Sequence, residues 1–407
     1  MSVTYPQYAL SFPTEKEPAA SRSVLQLTRM PKLLLPLTDQ NGQTRTPLCE
    51  LYDTVMEGEP LTDGDFPLFA PVTGVFAAVR TIDEANYMEL DALVLDREEV
   101  PPADVFTLSP AEILETCRAA HVVDELDGQA LADKLEAFAQ SGASLLIADA
   151  VEDEPFCSAA LVTLRQNGVF CADGLMLAAL AAGIPDYKVL LRAQPAVYKK
   201  LKAALPKGRL LRDRHDTYPH TVPENAVTIG VQACLALYRA CAFGERHGFA
   251  TVTVAGSAVS SPANVHVPFG TTLADVFSLC GLETEPALIV LGDSFTGTAV
   301  ADDALPILPG VTCVLAFQNE KTPIVHACIG CGRCAAVCHK HLLAYEIARR
   351  VENLQFAKLP PLSPGECDGC NACTVVCPAN RPVAELVAQG IKESDRVLIG
   401  WGVRRYE

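Results

Sequence analysis

Two cysteine runs repeat one pattern near the C-terminal end of this 407-residue chain: Cys328-x2-Cys331-x2-Cys334-x3-Cys338, then Cys367-x2-Cys370-x2-Cys373-x3-Cys377-Pro378. Three closely set thiolates wrap one side of an iron–sulfur cubane, and a fourth, spaced by three, reaches across to a second cluster. That pattern puts Cys328, Cys331, Cys334 and Cys377 around one [4Fe-4S] cluster, and Cys367, Cys370, Cys373 and Cys338 around the other. Paired structural zinc sites are the alternative, but they use separated C-x2-C knuckles rather than three thiols in succession. Sulfur-bound iron suits one-electron transfer, so two clusters in one small unit make a relay. Gly330, Gly332, Gly369 and Ala372 leave room for backbone N–H groups near cluster sulfurs. His339 stands where Pro378 stands in the second run; it and His341 are expected to be solvated, because each cluster already has four thiols. No Ser-His-Asp, Walker-type or zinc-protease arrangement is visible, so no catalytic residue is expected.

The elements that must hold these runs divide into several small units. The cysteine runs flank a helical stretch, Leu342 to Leu354, and a proline-rich linker, Leu359 to Gly365, which makes residues 318–407 an internally repeated helical domain. Residues 1–29 lack any period and form an irregular arm. Over 30–98 the short apolar runs Leu33–Leu35, Leu68–Ala70, Val75–Val79 and Leu93–Leu95 are separated by Gly, Pro or Asp, as in a small β-domain. Residues 105–220 alternate helices over 110–120, 128–139 and 174–182 with strands at 144–148 and 188–191, which predicts a parallel α/β layer. The stretch Leu205 to Pro223 reads as a connection. Residues 222–317 then form a small α+β module: helical character over 227–243, a β-run from Thr251, one helix face at Leu273, Val276, Phe277 and Cys280, and a strand over 313–317.

Composition fits such a modular protein. Hydrophobic residues are 49% and charged residues 20%, which excludes a disordered or fibrous chain. Lys+Arg of 32 against Asp+Glu of 49 gives −17, a field that works against nucleic-acid binding. The N-terminus lacks the basic and apolar regions of an export signal, so a cytoplasmic location is expected. The most apolar stretch, Gly174 to Ile184, is far short of the roughly 20 residues that span a bilayer. No membrane span is expected, which leaves peripheral membrane association open.

Several further segments carry a family resemblance. Ala70-Pro71-Val72-Thr73-Gly74-Val75, Glu152-Asp153-Glu154-Pro155-Phe156, Val252 to Pro262, Pro268-Phe269-Gly270-Thr271, Cys280-Gly281 and the paired cysteine runs occur in this order. Together they resemble the C subunit of Rnf-type electron-transport complexes and its soluble relatives, such as the electron-transfer protein associated with D-proline reductase. The resemblance spans about 30 to 390. It implies a barrel-sandwich β-domain over 30–98, a Rossmann-like layer over 105–220, a soluble-ligand-binding β-grasp module over 222–317 and a two-cluster ferredoxin-like domain over 318–407. It also implies a redox-protein partner such as a reductase complex. Members that use a flavin and nicotinamide carry a Gly-Gly-x-Gly-Phe-Pro-Thr loop, where this chain has Glu125-Leu126-Asp127-Gly128-Gln129-Ala130-Leu131. Two acids there would repel a phosphate, Asp153 replaces a family cysteine, and Leu291 to Gly297 preserves a second Gly-rich segment only in part. FMN and NADH are therefore not expected.

The function so implied is an electron relay between a reductase and a terminal enzyme. The alternatives are a flavoprotein that oxidises NADH within an Rnf-like complex and a partner-binding adaptor with structural clusters. Cys49 is expected to be packed or idle, and Cys117, Cys157, Cys171, Cys234, Cys241, Cys280 and Cys313 to be core residues, since they share no ligand spacing. The run Asp149, Glu152, Asp153, Glu154 is expected to be a solvated loop, and Lys199, Lys200 and Lys202 an exposed helix face.

Overall fold

The computed structural model describes residues 13–27, 32–38, 43–63, 67–82, 85–93, 101–192, 195–205, 209–213, 218–318 and 323–400. The chain begins with a short helix α1 (Glu17–Ala20) and strand β1 (Leu25–Gln26), so the arm expected to be irregular carries structure; its residues 1–12 and 28–29 lie outside the described ones. Strands β2 (Lys32–Pro36), β3 (Thr54–Val55), β4 (Gly74–Ile82) and β5 (Ala85–Ala92) form an antiparallel sheet in the order β2-β5-β4-β3. Leu33, Leu35, Phe76, Met88 and Leu90 fill its core. The Leu68–Ala70 run contributes only a single bridge, Phe69 to Pro60, and Val94 and Leu95 lie outside the described residues.

The α/β layer follows. Helix α2 (Pro110–Ala119) opens on a capping box in which Ser109 and Glu112 satisfy each other's backbone amides. Helix α3 (Leu131–Ser141) starts three residues later than the sequence suggests, because Asp124 to Gly128 turns tightly ahead of it. Strand β6 (Leu145–Ala150) leads into α4 (Ala159–Ala181), which is far longer than the expected 174–182 segment. Then come β7 (Asp186–Leu191), α5 (Pro195–Ala204), β8 (Leu210–Arg212), β9 (Ala226–Gly230) and α6 (Val231–Phe243). The sheet is parallel throughout, in the order β8-β7-β6-β9. Two expectations are corrected here: the connection over 205–223 contains β8, and the helix expected from Val227 is a strand until Gly230. Since β9 pairs with β6 and α6 packs on α4, the parallel layer continues to Phe243 rather than ending at 220. At Gly174 an added Cβ would stand 1.8 Å from the Cys234 carbonyl oxygen, so glycine is what lets α4 lie against α6.

Strands β10 (Phe249–Ala255), β11 (Ala263–Pro268), β12 (Leu288–Leu291), β13 (Thr298–Val300) and β14 (Cys313–Phe317) complete a six-stranded mixed sheet, β1-β11-β10-β14-β12-β13, with helix α7 (Leu273–Leu279) packed on it. β1 pairs in parallel with β11, so the N-terminal arm supplies an edge strand. The C-terminal part is helical: α8 (Arg333–Ala336), α9 (Ala344–Glu352), α10 (Ala372–Val375) and α11 (Val383–Gly400). The order short helix, long helix occurs twice, and each short helix lies inside one cysteine run. The linker between the repeats is a chain of three 3-10 turns over 356–366. The whole is thus a mixed α/β protein with several sheets. No helix among the described residues is long and apolar enough to cross a membrane.

Candidate metal centre

The two halves of the C-terminal repeat build matching loops. Gly330 and Gly369 have φ of 67° and 79°, and the N-caps of the two short helices, Gly332 and Asn371, have φ of 71° and 57°. Glycine and asparagine are the residues that enter this left-handed region at least cost. Each turn brings the third cysteine of its run, Cys334 or Cys373, onto the short helix, while Cys338 and Cys377 follow that helix.

Two cavities result, and each draws on both runs. One is lined by Cys328, Cys331, Cys334 and Cys377 together with Tyr345 and Arg381. The other is lined by Cys338, Cys367, Cys370 and Cys373 together with Lys340 and Asp368. All eight cysteines are free thiols; Cys328 and Cys331 are exposed, Cys334 is buried and the other five are half-buried. Burial pushes the Cys370 and Cys373 thiols up to about 12 and raises those of Cys334 and Cys367. A soft metal must therefore displace protons to bind here. The Leu342 amide donates to Cys338 Sγ at 3.4 Å, which places one N–H group on a ligand sulfur. A donor set of four thiols per cavity fits iron–sulfur chemistry. His339, expected to be solvated, instead lies 2.5 Å from Asp368 through Nε2 beside the second cavity; His341 is exposed.

The acidic segment after β6 is the second correction, because it is not a solvated loop. Asp149 and Asp153 clamp His220, with 2.6 Å from Nε2 to Asp149 and 3.0 Å from Nδ1 to Asp153. Glu152 caps α4 by accepting from the Ala160 and Leu161 amides at 2.7 and 3.3 Å. Glu154, 5% exposed, accepts from the Phe295 and Thr296 amides, and its Oε1 lies 3.1 Å from the Tyr218 hydroxyl. That same hydroxyl lies 2.5 Å from the Cys370 carbonyl, and Asn371 donates to the Phe295 carbonyl. The acids thus tie the α/β layer and the six-stranded sheet to the second cysteine loop.

The crevice where strand order reverses, between the carboxyl ends of β6 and β9, is where parallel α/β sheets usually bind ligands. Here the chain fills it. Glu125 accepts from the Gln232 and Ala233 amides at 2.6 and 2.9 Å, at the otherwise uncapped start of α6, and Asp124 accepts from Gly230 N at 2.8 Å. A Cβ at Gly230 would lie 2.0 Å from the Glu125 carboxyl carbon, so glycine is required for this contact. Lys134, at 2.5 Å from Asp124 and 2.7 Å from Asp127, neutralises the pair of acids beside it.

Residues 327–381 match the family described as a 4Fe-4S dicluster domain. The C subunit of the ion-translocating oxidoreductase complex of Vibrio cholerae is 28% identical over 86% of this chain and 51% of its own length. Its counterpart in Rhodobacter capsulatus is 26% identical over 81% of this chain and 72% of its own. Most of the chain is homologous to these Rnf C subunits. The Pseudomonas aeruginosa protein of the same name, at 25% identity, is covered over 49% of its length, so the chain spans about half of several of its curated relatives. A solved NAD+-reducing [NiFe]-hydrogenase aligns at 15% identity with a TM-score of 0.46, covering 76% of this chain and 66% of the other. The Rnf homology and the dicluster-domain match support iron–sulfur electron transfer.

Proposed function

We propose that the chain is an electron-transfer protein with two [4Fe-4S] clusters, one held by Cys328, Cys331, Cys334 and Cys377 and the other by Cys338, Cys367, Cys370 and Cys373. The observation that carries this reading is the composition of the two cavities, four thiols in each and both drawn from the two sequence runs. When bound, such clusters accept and release single electrons. The chain's own residues set the rest. Arg381, ion-paired with Glu352, brings a positive charge to the first cavity, and the exposed Cys328 and Cys331 put that cavity at the surface beside Ile324, Val325 and Ile329. A redox partner docks there, and the net charge of −17 over the whole chain favours a basic partner at long range. By homology the partner is a component of an ion-translocating oxidoreductase complex, which this chain joins from the cytoplasmic side.

Glu125 supports the reading without FMN or NADH, because a phosphate approaching the start of α6 meets amides that the Glu125 carboxyl group already occupies. Anaerobic stopped-flow spectroscopy tests both parts. NADH alone should leave the visible cluster absorption unchanged, and bleaching by NADH would instead make the chain part of a dehydrogenase. Electron transfer from the dithionite-reduced protein to a basic one-electron acceptor should slow as salt shortens the Debye length from about 10 Å at 0.1 M to about 3 Å at 1 M. A rate that stays flat would remove the electrostatic docking.

A further inference from the structure

Three segments, one of them more than a hundred residues from the other two, meet at a second group of metal-binding side chains, away from the eight cysteines above. Cys157 lies between β6 and α4, Asp293 follows β12, and Cys313 opens β14. One ligand atom from each lies within 4.8 Å of the other two. Both thiols are buried in an apolar cluster with Ala159, Ala255, Val290 and Leu315. Inside it, Asp293 Oδ1 is buried and has no hydrogen-bond partner among the described residues. An oxygen left so costs about 1–3 kcal/mol, which a bound cation would return. Glu152 Oε1, 3.4 Å from Cys157 Sγ, borders the group while it caps α4.

We propose that Cys157, Cys313 and Asp293 bind a thiophilic divalent cation, Zn2+. Tetrahedral zinc, with Zn–S of about 2.3 Å and Zn–O of about 2.0–2.2 Å, needs ligand atoms roughly 3.3–3.8 Å apart. The observed spacing reaches this by side-chain adjustment alone. Lys16, which donates to the Glu152 carbonyl, is the nearby cation among the described residues, and it faces the ligand group from outside. The site joins the loop carrying Glu152 and Glu154 to the loop carrying Asp293, Phe295 and Thr296, and these are the segments that reach the second cysteine loop through Tyr218 and Asn371. Zinc here therefore fixes the α/β layer against the iron–sulfur domain.

The test uses the full chain, anaerobically loaded with iron and sulfide so that the eight cluster cysteines are filled, then incubated with Zn2+ alone and desalted. Zinc should remain at about one per chain, and zinc K-edge absorption should show two sulfur and two oxygen or nitrogen neighbours. Asp293→Asn, which keeps the side chain's size, should weaken zinc retention about tenfold or more while leaving iron content unchanged. Zinc surrounded by four sulfurs, no retained zinc, or a Cys157–Cys313 disulfide in the anaerobic protein would each overturn the proposal.

Discussion

Raising the pH from about 6.5 to 10 should strip roughly 4 kcal/mol of stability from this protein through one residue, His220. Burial works against a charged ring there, but hydrogen bonds to Asp149 and Asp153 outweigh it and push His220 from 6.5 up to about 10. The same contact, with the Arg192 charge, holds Asp153 below its ordinary value despite its burial. Arg192 is itself ion-paired to Asp213 at 2.6 Å, so it does not replace the imidazolium. The sign follows from linkage. A group whose pKa is raised by folding contributes in full below its unfolded value, and the contribution drains away as pH climbs through the folded one. Denaturant midpoints across pH 6 to 10.5 should therefore fall steeply for the wild type and much less for His220→Gln, which is weaker at low pH but has no proton to lose. Parallel profiles for the two proteins would show that His220 is not charged. Because the same loop carries Glu154 to Tyr218 and Cys370, the alkaline loss should loosen the second cysteine loop as well.

Lys134→Met should cost about 3–5 kcal/mol, the usual price of stranding a buried charge. Burial alone would lower the Lys134 ammonium, yet Asp124 and Asp127 hold it above its ordinary value, and the Asp124 carboxylate it faces is completely buried. Without the lysine, Asp124 and Glu125 remain as adjacent acids against the Gly230, Gln232 and Ala233 amides. Asp124→Asn on top of Lys134→Met should recover much of the loss, since the asparagine oxygen still accepts from Gly230. A double variant as unstable as the single one would mean that Lys134 acts through Asp127 and the Phe138 ring rather than through Asp124.

The cysteine centre is legible in the sequence because its geometry is local: each loop of three ligands closes within seven residues, and the left-handed positions carry glycine or asparagine. The Cys157, Asp293 and Cys313 group is not, because Cys157 lies more than a hundred residues from the other two and the pairing of β10 with β14 is what brings the last of them inward. The acids of 149–154 read as solvated for a similar reason. Their partners, Tyr218, His220, Phe295 and Thr296, come from other elements, and a charge run carries no sign of them. Helix α4 reads as too short because apolar side chains such as Val169, Phe170 and Leu180 stand on its exposed face as well as on its buried one, which leaves no amphipathic stripe to mark its start. The start of α6 is hidden because β9 runs straight into it, with extended Gly230 as the hinge. By contrast, the strand expected at 313–317 matches β14, bounded as it is by loop residues on both sides.

The most direct test of the two-cluster reading is iron and acid-labile sulfide analysis of the anaerobically reconstituted chain. Wild type should hold about eight of each, and Cys331→Ala about four, because only the first cavity loses a ligand. Zinc in the cysteine cavities with no sulfide, or a Cys331→Ala protein that keeps all its iron, would contradict the two-cluster centre.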